Sequence, residues 1–282
     1  MLMAPIDYCR PDSLAEAVRV LGEEPSARPL AGGQSLLALL KLRAAQLDLL
    51  VDISRLPELQ FIDVREDGSV EIGAGVTYAE LARSPDLKRV QPKLCEVASG
   101  TVDVQVRNQG TFGGNICHND PINDFPPYVA AVGATLNLVG PEGERRATPE
   151  EFFLGAFWSD LRSGEILRSI ELPPLGGARV GYEEVEINEA AVRAVATVRV
   201  EGDRIADATV VLGCLSVPTR RPAVEDDLRG APATEEAVSS ATAGVAEGVE
   251  FPSDADASAA YRAEIAPVVA RRAVLQAING GE

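Results

Sequence analysis

Two glycine-containing segments of the chain carry the residue types that could hold a phosphorylated ligand. The first is Ala31-Gly32-Gly33-Gln34-Ser35-Leu36-Leu37, which leads into a predicted helix. Consecutive glycines before a helix can point several backbone N–H groups at one anion, and their missing Cβ atoms let a ligand approach closely. A diphosphate could thus be held by amide dipoles without arginines. The alternative is a tight turn between a strand and a helix that binds nothing.

The second segment combines glycines with amides, carboxylates and the single histidine of the chain. It runs Thr111-Phe112-Gly113-Gly114-Asn115-Ile116-Cys117-His118-Asn119-Asp120-Pro121-Ile122-Asn123-Asp124. Such donors and acceptors suit a polyhydroxylated, phosphorylated ligand. The alternative is a surface loop, because Asn and Asp are frequent in turns. Apolar residues 125–136 follow directly, which indicates that the segment is anchored to the core.

Other patterns that would indicate catalysis or metal binding do not fit. Residues 73–78 begin like a dinucleotide-binding fingerprint, but Tyr78 stands where close helix–strand packing requires glycine, so a turn is the better interpretation. A single His118 excludes any mechanism with two imidazoles. The cysteines are scattered and include no Cys-x-x-Cys pair: Cys9, Cys95, Cys117 and Cys214. We therefore expect neither a catalytic constellation nor a metal site in this chain.

Length and charge restrict the class of protein further. The 282 residues are 46% hydrophobic and 24% charged, a globular composition long enough for two domains. With 26 Lys and Arg against 43 Asp and Glu, the net charge of −17 repels nucleic acid and anionic lipid. The apolar stretch 125–139 is shorter than the ~18–20 residues of a membrane helix, and residues 1–10 lack a signal-peptide pattern. We expect a cytoplasmic protein with no nucleic-acid partner and no membrane span.

Strands and helices are predicted to alternate in the first part of the chain. Ser13 and Glu16 have capping-box spacing at the start of the first helix, and Thr77 and Glu80 have it at another. The remaining predicted elements are a strand at 28–31, a helix at 35–43, a strand at 49–53, a hairpin at 61–64 and 70–72, a helical stretch near 86–98, strands around 135–139 and 166–172, and a helix start at 148–151.

A linker is predicted at Pro173-Pro174-Leu175-Gly176-Gly177, since neither residue type extends a central strand. Beyond it the pattern predicts strands at 180–187, 192–200 and 205–213, the last two joined by a tight turn at Gly202-Asp203. Helices are predicted near 234–247 and 256–278. We therefore divide the chain into domains 1–175 and 176–282, the first with two lobes of about 1–55 and 56–175, the second with a three-stranded antiparallel sheet backed by helices.

The two glycine segments together carry a family resemblance. Pro29-Leu30-Ala31-Gly32-Gly33-Gln34-Ser35-Leu36-Leu37 with Lys41-Leu42-Arg43, followed by Gln105-Val106-Arg107-Asn108-Gln109-Gly110-Thr111-Phe112-Gly113-Gly114-Asn115, resembles the medium, FAD-binding subunit of molybdenum hydroxylases. These include xanthine dehydrogenase and carbon monoxide dehydrogenase. The resemblance continues through Gly164-Glu165-Ile166-Leu167 and Gly181-Tyr182, and so covers nearly the whole chain.

The resemblance implies an α+β fold and a set of FAD-binding residues. Residues 1–175 would form a two-lobed domain of the vanillyl-alcohol-oxidase (PCMH) type, and residues 176–282 a separate domain of the carbon monoxide dehydrogenase flavoprotein type. In the family, the loop at 31–36 holds the pyrophosphate of FAD, and the position of Leu167 packs near the cofactor. The residues implied around the ribityl, phosphate and adenosine parts are Thr111, Gly114, Asn115, His118, Asp120 and Asp124.

Partner subunits are also implied by the resemblance. A large subunit would carry the molybdenum cofactor and the substrate pocket, and a small one two 2Fe–2S clusters, as a dimer of heterotrimers. Electrons would pass from the clusters through FAD to an external acceptor. One alternative is a self-sufficient FAD-dependent oxidase or reductase of the same domain family, with its acid or base among residues 183–186. Another is a non-catalytic nucleotide-binding or assembly module.

Two positions depart from the family pattern. Many relatives carry a lysine shortly after the Gly-Tyr that matches Gly181-Tyr182, where this chain has Glu184 in an acidic run. Val192 stands near the position of an aromatic residue. An acidic residue close to the flavin would oppose a negatively charged reduced ring. We therefore expect the redox potential or the final acceptor to differ from those of familiar members.

Overall fold

The fold consists of two compact units, each assembled from separate stretches of sequence. The structure is a computed structural model that describes residues 4–280, so residues 1–3 and 281–282 at the ends of the two predicted domains lie outside it. The first unit contains the chain up to His118, Thr135–Phe152 and Trp158–Leu172. The second unit contains Asn119–Ala134, Phe153–Phe157 and the chain from Pro173 onward.

Short strands and helices alternate along the described residues. In chain order they begin with β1 (Asp7–Cys9), α1 (Leu14–Glu23), β2 (Ala27–Leu30), α2 (Leu36–Lys41), β3 (Leu49–Asp52), β4 (Ile62–Val64), β5 (Val70–Gly73), α3 (Tyr78–Arg83), α4 (Pro85–Val90), α5 (Pro92–Gly100), α6 (Val104–Arg107), α7 (Phe112–His118), α8 (Phe125–Ala131) and β6 (Thr135–Gly140). They continue with β7 (Gly143–Ala147), α9 (Pro149–Phe152), β8 (Phe153–Gly155), β9 (Trp158–Ser159), β10 (Ile166–Leu172), β11 (Arg179–Glu186), β12 (Ala190–Glu201), β13 (Arg204–Gly213), β14 (Thr219–Arg220), α10 (Pro222–Leu228), α11 (Glu235–Thr242) and α12 (Ala259–Asn279).

The first unit begins with a parallel sheet of strand order β1-β3-β2. Helix α1 begins where the sequence predicts it, because the side chain of Ser13 accepts a hydrogen bond from the N–H of Glu16. Its apolar face packs with Val51 of β3 and the neighbouring Ile53 in one core cluster. The predicted β-loop-α-β arrangement is confirmed, and it places the first glycine segment between β2 and α2.

A second sheet of the first unit is antiparallel, with strand order β4-β5-β10-β6-β7. It contains the predicted hairpin of β4 and β5 and the two strands predicted around 135–139 and 166–172. At the start of α3, Thr77 and Glu80 form the complete predicted capping box. The helical stretch predicted near 86–98 is two helices, α4 and α5, because Pro92 lacks an N–H and starts a new helix instead of continuing the old one.

The second unit is built on an antiparallel sheet of strand order β11-β12-β13-β14. The three predicted strands are present, and the turn between β12 and β13 uses Gly202 at φ +63°. The two-residue β14 extends the sheet to four strands, which the sequence did not predict. Helix α12 lies so close to β11 that a Cβ atom on Gly181 would be 1.9 Å from the carbonyl oxygen of Ala273. Helix α11 is shorter than predicted, and α10 was not predicted.

Candidate functional site

The turn of the first glycine segment packs directly on the backbone of the second. Gly32 has no room for a side chain, since a Cβ atom there would lie 2.1 Å from the carbonyl oxygen of Gln109 and 2.9 Å from Cα of Gly110. Beside it, Nε2 of Gln34 donates to Oε1 of Gln109 at 3.1 Å. The missing Cβ of Gly32 thus serves contact with Gln109, whereas the sequence suggested contact with a ligand. The first unit contains both segments up to His118.

Backbone amides without a protein acceptor are the main feature of the first segment that suits an anion. Gly33 has φ +71°, a conformation that favours glycine, and α2 begins three residues later. Among the hydrogen bonds within residues 4–280, none has a backbone N–H of residues 32–36 as its donor. The first N–H groups of a helix have no partner in the helix itself and favour an anion. This donor set fits a phosphate group.

The glycines of the second segment lie in a helix and not in a surface loop. Residues 112–118 form α7, with Phe112, Gly113, Asn115 and Ile116 buried. Gly113 donates to the carbonyl oxygen of Ala74 at 2.9 Å, and a Cβ atom on Gly113 would lie 2.4 Å from the Cβ of Ala74. The surface-loop alternative is therefore wrong for this part of the segment. Glycine is needed here because α7 touches the backbone of residues 73–76.

Tyr78 holds the second segment in place, a role that the sequence did not reveal. Its N–H donates to the carbonyl oxygen of Gly110 at 3.1 Å, and its hydroxyl accepts from Nδ2 of Asn115 at 3.0 Å. A Cβ atom on Gly110 would lie 3.0 Å from the Tyr78 ring. Residues 74–77 thus connect β5 to α3, where the sequence predicted a turn, and Tyr78 at the start of α3 supports the second glycine segment. No local signal in the sequence could identify this contact.

The other predicted site residues of the first unit are spread over its elements. Thr111 accepts from the N–H of Gly114 at 3.1 Å, so its side chain stabilises the start of α7. His118 is the last residue of α7. Leu167 is buried in β10, next to an irregularity in the pairing of β10 with β6. Together with residues 31–36, these positions all belong to the first unit.

Asp120 and Asp124 belong to the second unit. Oδ1 of Asp120 accepts from the N–H of Ile122 at 3.2 Å, in a turn that precedes α8. Oδ1 of Asp124 accepts from the hydroxyl of Tyr182 at 2.6 Å and from Nη2 of Arg193 at 2.9 Å. The Asp124 side chain is 16% exposed, so it is neither a surface carboxylate nor a sealed one.

Arg193 is a buried cation at the centre of this part of the second unit. Its guanidinium donates to Oε2 of Glu184 at 2.8 and 2.6 Å, through Nε and Nη2. Its Nη1 donates to the carbonyl oxygens of Ile122 and Asn123, both at 2.8 Å. The sequence contained a signal for this residue, because a charge within a strand of alanines and valines needs a buried partner. The antiparallel register supplies that partner by placing Glu184 opposite Arg193.

Burial and charge shift the pKa values of this cluster. Burial raises the pKa of Tyr182 well above its usual value, so its hydroxyl keeps the proton that it donates to Asp124. Burial also raises the pKa of Glu184, with Asp124 adding to the effect and Arg193 opposing it. Burial alone would lower the pKa of Arg193, but Tyr182 and Asp124 raise it well above its usual value. The charge of Glu184 is therefore paired with Arg193.

This pairing bears on the acidic run 183–186. Glu183 lies 3.5 Å from Arg272, and Glu184 is bound to Arg193. Two of the three carboxylates considered as an acid or base for a self-sufficient flavoenzyme are thus engaged in ion pairs.

Within residues 4–280, no group of three or more His, Cys, Asp and Glu side chains is arranged to hold a metal ion. None of the helices in that range has the length and apolar character needed to cross a bilayer.

The fold and the two glycine segments define a class of protein, an α+β protein with the backbone-amide donors that suit a nucleotide cofactor. Residues 4–175 match the family described as FAD binding domain in molybdopterin dehydrogenase, and residues 186–277 match the CO dehydrogenase flavoprotein C-terminal domain. The chain therefore belongs to the family of FAD-binding medium subunits of molybdenum hydroxylases. The predicted family, the α+β fold with an FAD-binding domain and a C-terminal domain, and the FAD cofactor are confirmed.

Similar proteins span the full length of the chain. The carbon monoxide dehydrogenase medium chain of Hydrogenophaga pseudoflava is 36% identical over 97% of each chain. The glyceraldehyde dehydrogenase medium chain of Sulfolobus acidocaldarius is 34% identical over 94% of this chain and 96% of its own. Among solved structures, quinoline 2-oxidoreductase from Pseudomonas putida 86 has a TM-score of 0.95 at 31% identity, covering 100% of this chain and 99% of its own.

Proposed function

We propose that this FAD-binding subunit relays electrons within a heteromeric molybdenum hydroxylase. The route would run from 2Fe–2S clusters of a small partner subunit, through FAD, to an external acceptor. The observation that carries the proposal is the packing of Gly32 on Gln109 and Gly110, which joins two backbone-rich, glycine-containing segments in one unit. FAD supplies a redox chemistry that protein side chains lack.

The residues of this chain would bind and orient the cofactor. The N–H groups of residues 31–36 would hold the pyrophosphate, since a buried or half-buried phosphate needs several donors and the segment offers them without a competing protein acceptor. Leu167 would pack against the cofactor. The residues proposed for its ribityl, phosphate and adenosine parts are Thr111, Gly114, Asn115, His118, Asp120 and Asp124.

Partners, compartment and domain boundaries complete the proposal. A large subunit would hold the molybdenum cofactor and the substrate, and the assembly would be a dimer of heterotrimers. Relatives described as medium chains of carbon monoxide and glyceraldehyde dehydrogenases support such a division of labour. The four cysteines have no disulfide, which supports the cytoplasm as the compartment. We keep 1–175 and 176–282 as the proposed domains, and about 1–55 and 56–175 as the proposed lobes of the first.

Flavin analysis of the purified chain tests the cofactor assignment. We expect one FAD per chain, released by acid precipitation, because all the contacts proposed between FAD and this chain are hydrogen bonds and packing. The matched ligand control is FMN, which lacks the second phosphate and the adenosine that residues 31–36 and the second segment would bind. Flavin that remains with the denatured chain, or equal affinity for FMN and FAD, would contradict the proposed site.

Activity of the isolated chain tests the electron relay. Without partners, the chain should oxidise no aldehyde, N-heterocycle or alcohol, although dithionite should reduce its flavin. Co-expression with a molybdenum subunit and an iron–sulfur subunit should give a complex in which substrate bleaches the flavin. Substrate turnover by the isolated chain would instead favour the self-sufficient flavoenzyme. A purified chain that binds no flavin would favour the non-catalytic nucleotide-binding or assembly module.

A further inference from the structure

Three consecutive residues of the second unit are held by one buried side chain. Arg193 binds the carbonyl oxygens of Ile122 and Asn123 and the carboxylate of Asp124, all at 2.8 or 2.9 Å. The stretch from Asn119 to Asp124 lies between α7 and α8 and contains no helix or strand. The regular hydrogen bonds of secondary structure therefore do not determine its conformation. A turn at Asp120 holds its first part, and the planar guanidinium of Arg193, with its fixed arrangement of donors, holds residues 122–124.

Glu184 fixes the direction in which that fork points. It accepts from Nε and Nη2 of Arg193, which turns Nη1 toward the carbonyl oxygens of Ile122 and Asn123. The guanidinium binds the carboxylates of Glu184 and Asp124. A buried charge is tolerated when it is paired and its donors are satisfied. The Arg193 side chain is only 3% exposed, so solvent does little to screen these interactions.

The carboxylate of Asp124 keeps one oxygen for a ligand. Both of its hydrogen bonds, from Tyr182 and from Arg193, go to Oδ1. Within residues 4–280, Oδ2 accepts no hydrogen bond from the protein. Two donors on one oxygen prevent rotation of the carboxylate, and thus fix where Oδ2 lies.

We propose that Arg193 is a positioning residue for the cofactor, acting through Asp124. The inference rests on the proposed function, in which Asp124 accepts hydrogen bonds from hydroxyls of FAD. Arg193 itself touches no cofactor in this proposal. It holds the 122–124 backbone and the Asp124 carboxylate in one arrangement, so that FAD meets a preorganised acceptor rather than one that must be ordered on binding.

The test measures FAD affinity of the full chain by fluorescence titration after removal of flavin. Arg193→Lys keeps the charge but loses the fork, and we expect it to raise the Kd for FAD about tenfold, the size expected for hydrogen bonds to a charged group. Asp124→Asn should raise the Kd by a similar factor. Because the two residues act in series, the double variant should be no more than about twofold weaker than Asp124→Asn alone.

Arg262 provides the matched control in the same unit. It is a buried arginine that is paired with Asp254 and bound to the carbonyl oxygen of Ala191, and it has no hydrogen bond to residues 122–124. Arg262→Lys should lower the melting temperature, as Arg193→Lys should, while changing the Kd for FAD less than about twofold. The visible circular dichroism of the bound flavin should change in Arg193→Lys and not in Arg262→Lys.

The possible outcomes separate this inference from the proposed function. An unchanged Kd in Arg193→Lys, independent effects of Arg193→Lys and Asp124→Asn, or an equal loss in Arg262→Lys would overturn the positioning role while leaving FAD binding intact. Failure of the unaltered chain to bind FAD would refute the proposed function and this inference with it. Should Arg193→Lys not fold, Glu184→Gln serves instead, because it loosens the guanidinium, and an unchanged Kd there would also overturn the role.

Discussion

Replacing Gly32 with alanine adds a single carbon atom, Cβ, where the two glycine segments meet, and so tests the contact between them. The added Cβ would lie 2.1 Å from the carbonyl oxygen of Gln109 and 2.8 Å from its carbonyl carbon. Both are backbone atoms, so no side-chain rotation can relieve the clash. Gly32 does not have a positive φ, and alanine can therefore adopt its backbone conformation. The perturbation is steric and acts on the distance between the two segments.

The size of the effect follows from that distance. Carbon–oxygen contacts settle at about 3.3–3.6 Å, so the backbone at Gln109 must retreat by roughly 1.2–1.5 Å. Overpacking of this kind costs roughly 1–3 kcal/mol of folding free energy. A shift of ~1 Å is also enough to misalign hydrogen-bond donors, and we expect the affinity for FAD to fall about tenfold or more.

Two glycine variants serve as controls for this experiment. Gly33→Ala introduces strain at φ +71°, but its Cβ would meet only the side-chain ends of Leu37 and Leu30, which can move. Gly100→Ala adds the same methyl group in α5, where no heavy atom lies within 4 Å. We expect Gly33→Ala to lose about 1 kcal/mol of stability through strain and Gly100→Ala to gain about 0.5–1 kcal/mol through helix propensity.

The assay combines three measurements on each variant: the Kd for FAD, the melting temperature, and hydrogen exchange of peptides covering residues 104–112. Exchange in that region should increase in Gly32→Ala alone, because displacement of Gln109 weakens the hydrogen bonds from the N–H groups of Gln109 and Gly110 to the carbonyl oxygen of Val106. The contact between the segments would be refuted if Gly32→Ala bound FAD normally and exchanged like the unaltered chain. Equal losses in Gly32→Ala and Gly33→Ala would assign the effect to the turn itself.

Two further predictions concern stability. Thr77→Ala removes the capping box of α3 and should lower the free energy of unfolding by about 0.5–2 kcal/mol in denaturant titrations, whereas Thr77→Ser should retain it, and equal losses would contradict the cap. Burial raises the pKa values of the Cys95 and Cys214 thiols to about 11, so the folded chain keeps protons that the unfolded chain loses above its pKa of about 9. The free energy of unfolding contributed by these thiols is fully present below pH ~9. It should fall by up to ~1.4 kcal/mol per pH unit per thiol as the pH rises toward ~11. Cys95→Ala should make this fall less steep, and equally steep pH profiles of the variant and the unaltered chain would disprove the prediction.

Local features of the sequence determined where most elements begin and end. Ser13, Thr77 and Thr148 bind the helix turns that follow them, so their helices start where the spacing predicts. Gly202 permits the turn between β12 and β13 for the same local reason, its positive φ. Such interactions join residues only a few positions apart, and neighbouring residues therefore predict them. The two glycine motifs, taken together, also identified the family.

Tertiary structure alone decided how the site is assembled. Gly32 meets Gln109, and Tyr78 meets Gly110 and Asn115, through folding that brings distant segments together. The sequence could predict that glycine was needed in each segment, but not that Gly32 packs on the backbone of Gln109 and Gly113 on Ala74.

Arg193 shows the same limit of sequence-based prediction for a charged residue. Its position in an apolar strand indicated that it needs a partner, while strand register selected Glu184 and the packing of 122–124 on the sheet supplied the remaining acceptors. A shift of one residue in that register would place the guanidinium on the opposite face of the strand. Sequence determines which groups require partners, whereas the paired backbones determine which partners they meet.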